Sequence, residues 1–169
     1  MAEQFLTLMA DLDDESQQIM SGWYSKLQEA GFKGTQTPGL PYHISLATFP
    51  LDQENAVVQK MKEIAAEFAA FPVLISHIGI FPGGKVLFGG PEKDENLISL
   101  HAAFEKDTKE HPWTPHATIL IDESETICRA VPELVRSFYP FVGKITRLHL
   151  CAFWPTREIA AVELSENNQ

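Results

Sequence analysis

The chain has 169 residues, 44% of them hydrophobic, and a formal charge of −10, which suits one domain with a single core that needs neither disulfide nor metal. That charge argues against a protein that grips long nucleic acid by neutralising many phosphates, because such proteins cluster Lys and Arg; a small anionic ligand in a locally positive pocket stays compatible with it. No apolar run reaches the roughly 18 residues that span a bilayer, and Met1-Ala2-Glu3 offers no basic leader, so the expectation is a soluble, cytoplasmic monomer without membrane partners.

Residues 5–10 predict a short strand ending at Asp11, Asp13, Asp14 and Glu15, a cluster that suits a helix N-terminus better than a metal. The helix carries Ile19, Trp23 and Leu27 up to Gly31, and residues 34–41 form a Gly/Pro/Thr-rich loop. The next strand, from Tyr42 to Phe49, places an imidazole and a hydroxyl two residues apart. Strict alternation sets His43, Ser45, Ala47 and Phe49 on one face and Ile44, Leu46 and Thr48 on the other. Asp52 reads as the N-cap of a second helix, striped by Val57, Met61, Ile64 and Phe68 and ending near Ala70.

Residues 71–81 and 85–88 predict a hairpin around Pro82-Gly83-Gly84, stopped by Gly89-Gly90-Pro91. A third helix bears Leu97, Leu100 or His101, and Phe104, and residues 107–113 form a polar loop that includes Asp107 and His111. Residues 115–121 then repeat the earlier pattern, with His116 and Thr118 in place of His43 and Ser45. Asp122 with Glu125 resembles a capping pair for a fourth helix carrying Ile127, Val131, Leu134 and Phe138. Strands over 145–153 and 158–164 close the chain around Trp154-Pro155-Thr156-Arg157. Cys128 and Cys151 lack CxxC spacing and read as buried free thiols in a reducing compartment.

The two halves, about 1–81 and 82–169, each run strand, helix, His strand, helix, strand. One domain of two repeats follows, each repeat supplying a sheet with helices outside, the two sheets facing a cleft lined by both His strands. Two imidazoles at one phosphorus cleave a phosphodiester without metal: one neutral ring takes a proton and the other, protonated, gives one to the leaving oxygen. Ser45 and Thr118 then supply hydrogen bonds where negative charge develops.

With its two H-x-[ST]-x motifs, His43-Ile44-Ser45-Leu46 and His116-Ala117-Thr118-Ile119, the chain resembles the 2H phosphoesterase superfamily, in its branch of 2′-5′ RNA ligase-like and cyclic nucleotide phosphodiesterase-like proteins. The resemblance implies a pseudo-twofold, bilobal α+β fold with antiparallel-rich sheets, no metal or other cofactor, and hydrolysis or ligation at 2′,5′ or cyclic 2′,3′ phosphodiesters. Ser45 departs from the Thr of many members, keeping the hydroxyl and losing the methyl that restrains its rotamer. The acidic charge points to a small cyclic nucleotide or a short RNA end as substrate.

Tyr42 and Trp154 are candidates to stack on a base, and Lys85 and Arg157 to contact a phosphate, each against a plain alternative of packing or solvated charge. Phe49 and Phe81 read as core, and His77 and His149, in their apolar strands, as satisfied core or edge residues. No His pair has metal-site spacing or company. The competing readings are a catalytically inactive nucleotide- or RNA-end-binding protein of the same fold, and two structural His–hydroxyl pairs.

Overall fold

The apolar run that opens the chain becomes β1 (Phe5–Leu12), buried along nearly its whole length in this computed structural model, which describes residues 3–106, 109–110 and 112–166. Met1 and Ala2 at the start, and Asp107 and His111 of the expected polar loop, lie outside the described residues. After β1 come α1 (Asp14–Glu29), β2 (His43–Pro50), α2 (Glu54–Glu67), β3 (Phe71–Ile80), β4 (Val86–Pro91), α3 (Glu95–Ala102), β5 (Ala117–Ile121), α4 (Ser124–Ser137), β6 (Phe141–Phe153) and β7 (Arg157–Glu163). The order strand, helix, strand, helix, strand thus occurs twice before β7.

These seven strands form one antiparallel sheet in the order β2-β1-β6-β3-β4-β5, with β7 also on β6. The expectation of two sheets is corrected by β6, which at 13 residues is long enough to serve both halves. Phe141 to Ile145 pair with β3, while the rest of the strand pairs with β1 on one edge and β7 on the other.

Alternation along β1 and β6 separates two faces. Leu6, Leu8 and Ala10 of β1 and Leu148, Leu150 and Ala152 of β6 join the main core, where they meet Met20, Trp23 and Leu27 of α1, Met61 of α2 and Ile127 and Leu134 of α4. Each buried Leu, Ile or Met among them stabilises the fold by about 1.5–3 kcal/mol. Thr7, Met9 and Asp11 of β1 and His149, Cys151 and Phe153 of β6 take the opposite face, where Met9, Cys151 and Phe153 form a small separate cluster. Among the described residues, no helix is long and apolar enough to cross a membrane.

Local chemistry revises several expected boundaries. Asp52 does not cap α2: after Pro50 the chain tightens into a 3-10 turn, Leu51–Gln53, which leaves Gln53 at the N-cap position without a side-chain bond. Asp122 accepts from the N–H of its neighbour Glu123 (2.8 Å) instead of capping α4, whose N-cap is Glu123. Gly89 and Gly90 do not stop β4. In the β3–β4 register Gly79 faces Phe88 and Gly90 faces His77, each glycine leaving room for the opposite ring, and a Cβ on Gly79 would sit 2.2 Å from the Phe88 ring. Cys151 is buried as expected, whereas Cys128, on α4, is exposed.

Candidate active site

β2 and β5 lie at the two ends of the sheet's strand order, yet the sheet curls far enough to bring Cα atoms of the two strands within 8 Å. Both carry the same irregularity. On β2, Ser45 faces Met9 and Ala47 faces Leu8, so Leu46 has no partner on β1. On β5, Thr118 faces Phe88 and Leu120 faces Leu87, so Ile119 has none on β4. In each strand the extra residue of the bulge directly follows the hydroxyl residue, and two consecutive residues turn toward the core. Strict alternation therefore fails after Ser45: Leu46 and Ala47 are both buried and Thr48 is exposed, just as Ile119 and Leu120 are both buried.

The imidazoles are held alike. His43 Nδ1–H donates to the carbonyl of Pro41 (2.7 Å) and His116 Nδ1–H to that of Thr114 (2.9 Å), in each case two residues upstream. Only a protonated Nδ1 can meet a carbonyl, so Nε2 is the nitrogen free to accept or give a proton. Burial holds both rings below the ordinary imidazole value of 6.5, against the upward pull of those carbonyls, and each ring is partly buried. Nearby Asp11 raises His43, and His116 and His149 lower it.

His43, Ser45 and Thr118 line a cavity of about 750 Å³, walled also by Tyr42, Phe153 and Trp154. His116 lines a second cavity of about 470 Å³ with Phe81, His101 and Trp113, and Ser45 lines both. The Phe81 ring stands edge-on to His116 at 4.6 Å, and Phe88 lies 5.5 Å from it. Phe81, expected in the core, is thus a wall of the site, and Gly79, by making room for Phe88, supports that wall.

The other candidates divide. Tyr42 lies in the larger cavity, its phenol pushed up to about 12 by burial. Trp154 is exposed at the rim of that cavity, its Nε1–H donating to Thr37 Oγ1 at 3.4 Å, and it packs edge-on against Phe5. Lys85 and Arg157 line neither cavity. Each is held by a carboxylate, Lys85 by Glu123 (3.1 Å) and Arg157 by Glu54 (2.7 Å), away from both cavities. Phe49 lies away from both chambers.

Asp11 corrects the helix-cap reading. It belongs to β1, is 1% exposed, faces His43 across the strands, and contacts Arg147 Nε (2.5 Å) and His149 Nδ1 (3.3 Å). The second contact is an ion contact without hydrogen-bond geometry, and Asp11 Oδ1 has no hydrogen-bond partner among the described residues. His149, read as an ordinary core residue, is pushed up to about 10, chiefly by Asp11 and then by Cys151. Among the described residues, no group of three or more His, Cys, Asp or Glu side chains is gathered as a metal would need.

Sequence reasoning missed the residues that hold the bulges. Trp113 Nε1–H donates to the Ser45 carbonyl (3.0 Å) and His101 Nδ1 bonds the Leu46 carbonyl (2.8 Å), while the two rings stack 3.9 Å apart at 5°. On the other strand Gln36 accepts from Ile121 N–H (3.1 Å) and donates to the Ile119 carbonyl (3.3 Å). A loop glutamine and a helix histidine carry no motif; the one available signal was Trp113, three residues before His116.

Comparison with known proteins follows the same lines. The profile of the 2′-5′ RNA ligase superfamily matches residues 13–153. No curated protein sequence matches the chain. Among solved structures, E. coli LigT in apo form is 17% identical, with a TM-score of 0.65 over 98% of this chain and 100% of that one. E. coli LigT complexed with ATP is 21% identical, with a TM-score of 0.66 over the same shares. TT0787 of Thermus thermophilus is 14% identical, with a TM-score of 0.65 over 97% of this chain and 100% of that one. At these identities the likeness is one of fold.

Proposed function

The chain belongs to the 2′-5′ RNA ligase superfamily, and we propose that within it the protein is a metal-independent phosphodiesterase acting on 2′,3′-cyclic phosphates or 2′,5′ linkages of small nucleotides or RNA ends. The observation that carries this reading is the matched anchoring of His43 and His116, each Nδ1 tied to the carbonyl two residues upstream, beside two cavities that share Ser45. A neutral imidazole takes a proton from water, whose oxygen forms the new bond to phosphorus. The protonated partner gives its proton to the leaving ribose oxygen as the old P–O bond breaks. The product is a phosphomonoester, and the two rings have exchanged protonation states. Ser45 and Thr118 donate to the non-bridging oxygens, where charge rises. Solved complexes of E. coli LigT with ATP and with 3′-AMP support a nucleotide-sized ligand.

The direct test is turnover of 2′,3′-cyclic nucleotides and 2′,5′-linked dinucleotides by purified protein in the presence of a chelator. Hydrolysis that survives chelation supports the proposal; tight binding without turnover replaces it with the inactive binding protein. Removing a single hydroxyl, in Ser45→Ala or Thr118→Ala, is expected to lower kcat about 100- to 1,000-fold, while Thr118→Ser retains most of the rate. Equal losses in Thr118→Ser and Thr118→Ala would place the requirement on the methyl instead.

A pH dependence follows from the two rings. The reactive state holds one ring neutral and one protonated, and burial lowers both titrations below 6.5. The bell of kcat/KM, which reports the free enzyme, is therefore expected to peak on the acid side of pH 6.5 and to fall about tenfold per unit on its basic limb. A maximum above pH 7.5 would contradict this assignment of the groups.

A further inference from the structure

Resting on the phosphodiesterase reading, we infer that His101 and Gln36 are positioning residues, each reaching from one half of the chain to hold the bulge that sets the catalytic hydroxyl of the other half.

A bulge leaves its extra residue outside the ladder, and a buried carbonyl there needs another donor. The extra residues are Leu46 and Ile119, each directly after the hydroxyl residue. Leu46 O is held by His101 Nδ1–H at 2.8 Å, and Ile119 O by Gln36 Nε2–H at 3.3 Å. His101 lies on α3 in the second half and Gln36 in the loop before β2 in the first, so the bracing is reciprocal.

Two details tie these side chains to the bulges. The second ring nitrogen of His101 is buried without a hydrogen-bond partner among the described residues. A phenyl ring would fill the same space and stack on Trp113 without burying that atom, so what imidazole adds is the bond to Leu46 O. Gln36 lies against Gly34, where φ is +75° and a Cβ would meet Gln36 Oε1 at 2.1 Å and Leu120 Cδ1 at 2.7 Å. Glycine there admits the amide to the edge of β5.

The imidazoles have their own anchors on Pro41 and Thr114, so the braces act on Ser45 and Thr118. Those hydroxyls meet charge that grows in the transition state, and their misplacement lowers kcat more than it raises KM.

The test compares His101→Phe, which keeps the stack and removes the donor, His101→Asn, which keeps a donor near the Nδ1 position, and Gln36→Met. His101→Phe and Gln36→Met are expected to lower kcat per folded molecule about ten- to a hundredfold with KM within about twofold. His101→Asn recovers most of the loss, and the pH limbs stay where they are. Amide exchange gives a readout independent of activity: His101→Phe speeds exchange around residues 46–47 and leaves 119–121 alone, and Gln36→Met does the reverse. Unchanged kcat per folded molecule in both variants, even with lower thermal stability, overturns the inference. If the wild type turns over neither substrate, the phosphodiesterase reading has failed by itself, and the bracing then stands or falls on the exchange pattern. Should His101→Phe fail to fold, Gln36→Met alone decides.

Discussion

His43→Ala and His116→Ala are each expected to lose about 100- to 10,000-fold in kcat on a 2′,3′-cyclic nucleotide, with the double variant little worse than either single one. Non-additivity follows because the rings act in one step: once the base or the acid is missing, the other has nothing to complete. The expected loss is one of catalysis, not of folding. Each ring is partly buried at the cleft, and its one hydrogen bond, to Pro41 or Thr114, contributes about 1 kcal/mol to stability, so denaturant midpoints should move little. A His43→Ala protein that keeps a tenth of wild-type turnover, or two losses that multiply, would remove the paired-histidine mechanism.

The second large effect concerns stability. Asp11 is buried against Arg147 and His149, and removing one partner of a buried ionic group leaves charge uncompensated, at a cost of about 3–5 kcal/mol. Against a total of roughly 5–15 kcal/mol, Asp11→Ala should shift the urea midpoint severely or prevent folding at 37 °C. The same cluster has a pH signature. His149 sits at about 10 in the folded state against an ordinary 6.5, so between those values the folded protein holds a proton that the unfolded chain has released. The stabilisation is complete below pH 6.5 and declines as pH rises toward 10, by up to about 1.4 kcal/mol per unit. In Asp11→Asn that decline should flatten, which urea titrations at pH 7 and pH 9 resolve. Equal slopes in wild type and variant would mean that Asp11 does not hold the proton on His149.

Fold and site were legible to different depths. The succession of strands and helices reads from the chain because apolar runs and 3.6-residue stripes such as Val57, Met61 and Ile64 are local properties. That one sheet results, not two, depends on β6 continuing through Phe141 to Lys144, four residues with the ordinary look of a loop's end. The motif pairs show His43, Ser45, His116 and Thr118 as residues, whereas the bulges behind them are invisible. One unmatched Leu46 or Ile119 in an apolar strand changes no pattern that composition records. Asp11 was misread for a related reason. Beside Asp13, Asp14 and Glu15 it looks like part of a helix start, and what distinguishes it is Arg147, 136 residues later. Lys85 and Arg157 show the converse: a cation near a motif draws the eye, and only the fold reveals Glu123 and Glu54 beside them.

The long β6 also determines when the cleft can exist. β1 is made before the rest of this sheet, but one edge waits for β6, with Phe5 opposite Phe153 and Asp11 opposite Arg147. Contacts so distant in sequence are slow to form and expose strand edges meanwhile. During synthesis on the ribosome, β1 and β2 can pair early as a two-stranded piece, which is marginal by itself, while the second His strand emerges beyond residue 116. The floor joining them comes only when the chain has run to residue 153. Assembly of the cleft therefore waits until β6 has been made, and a chain truncated before β6 would carry both motifs with nothing to bring them together.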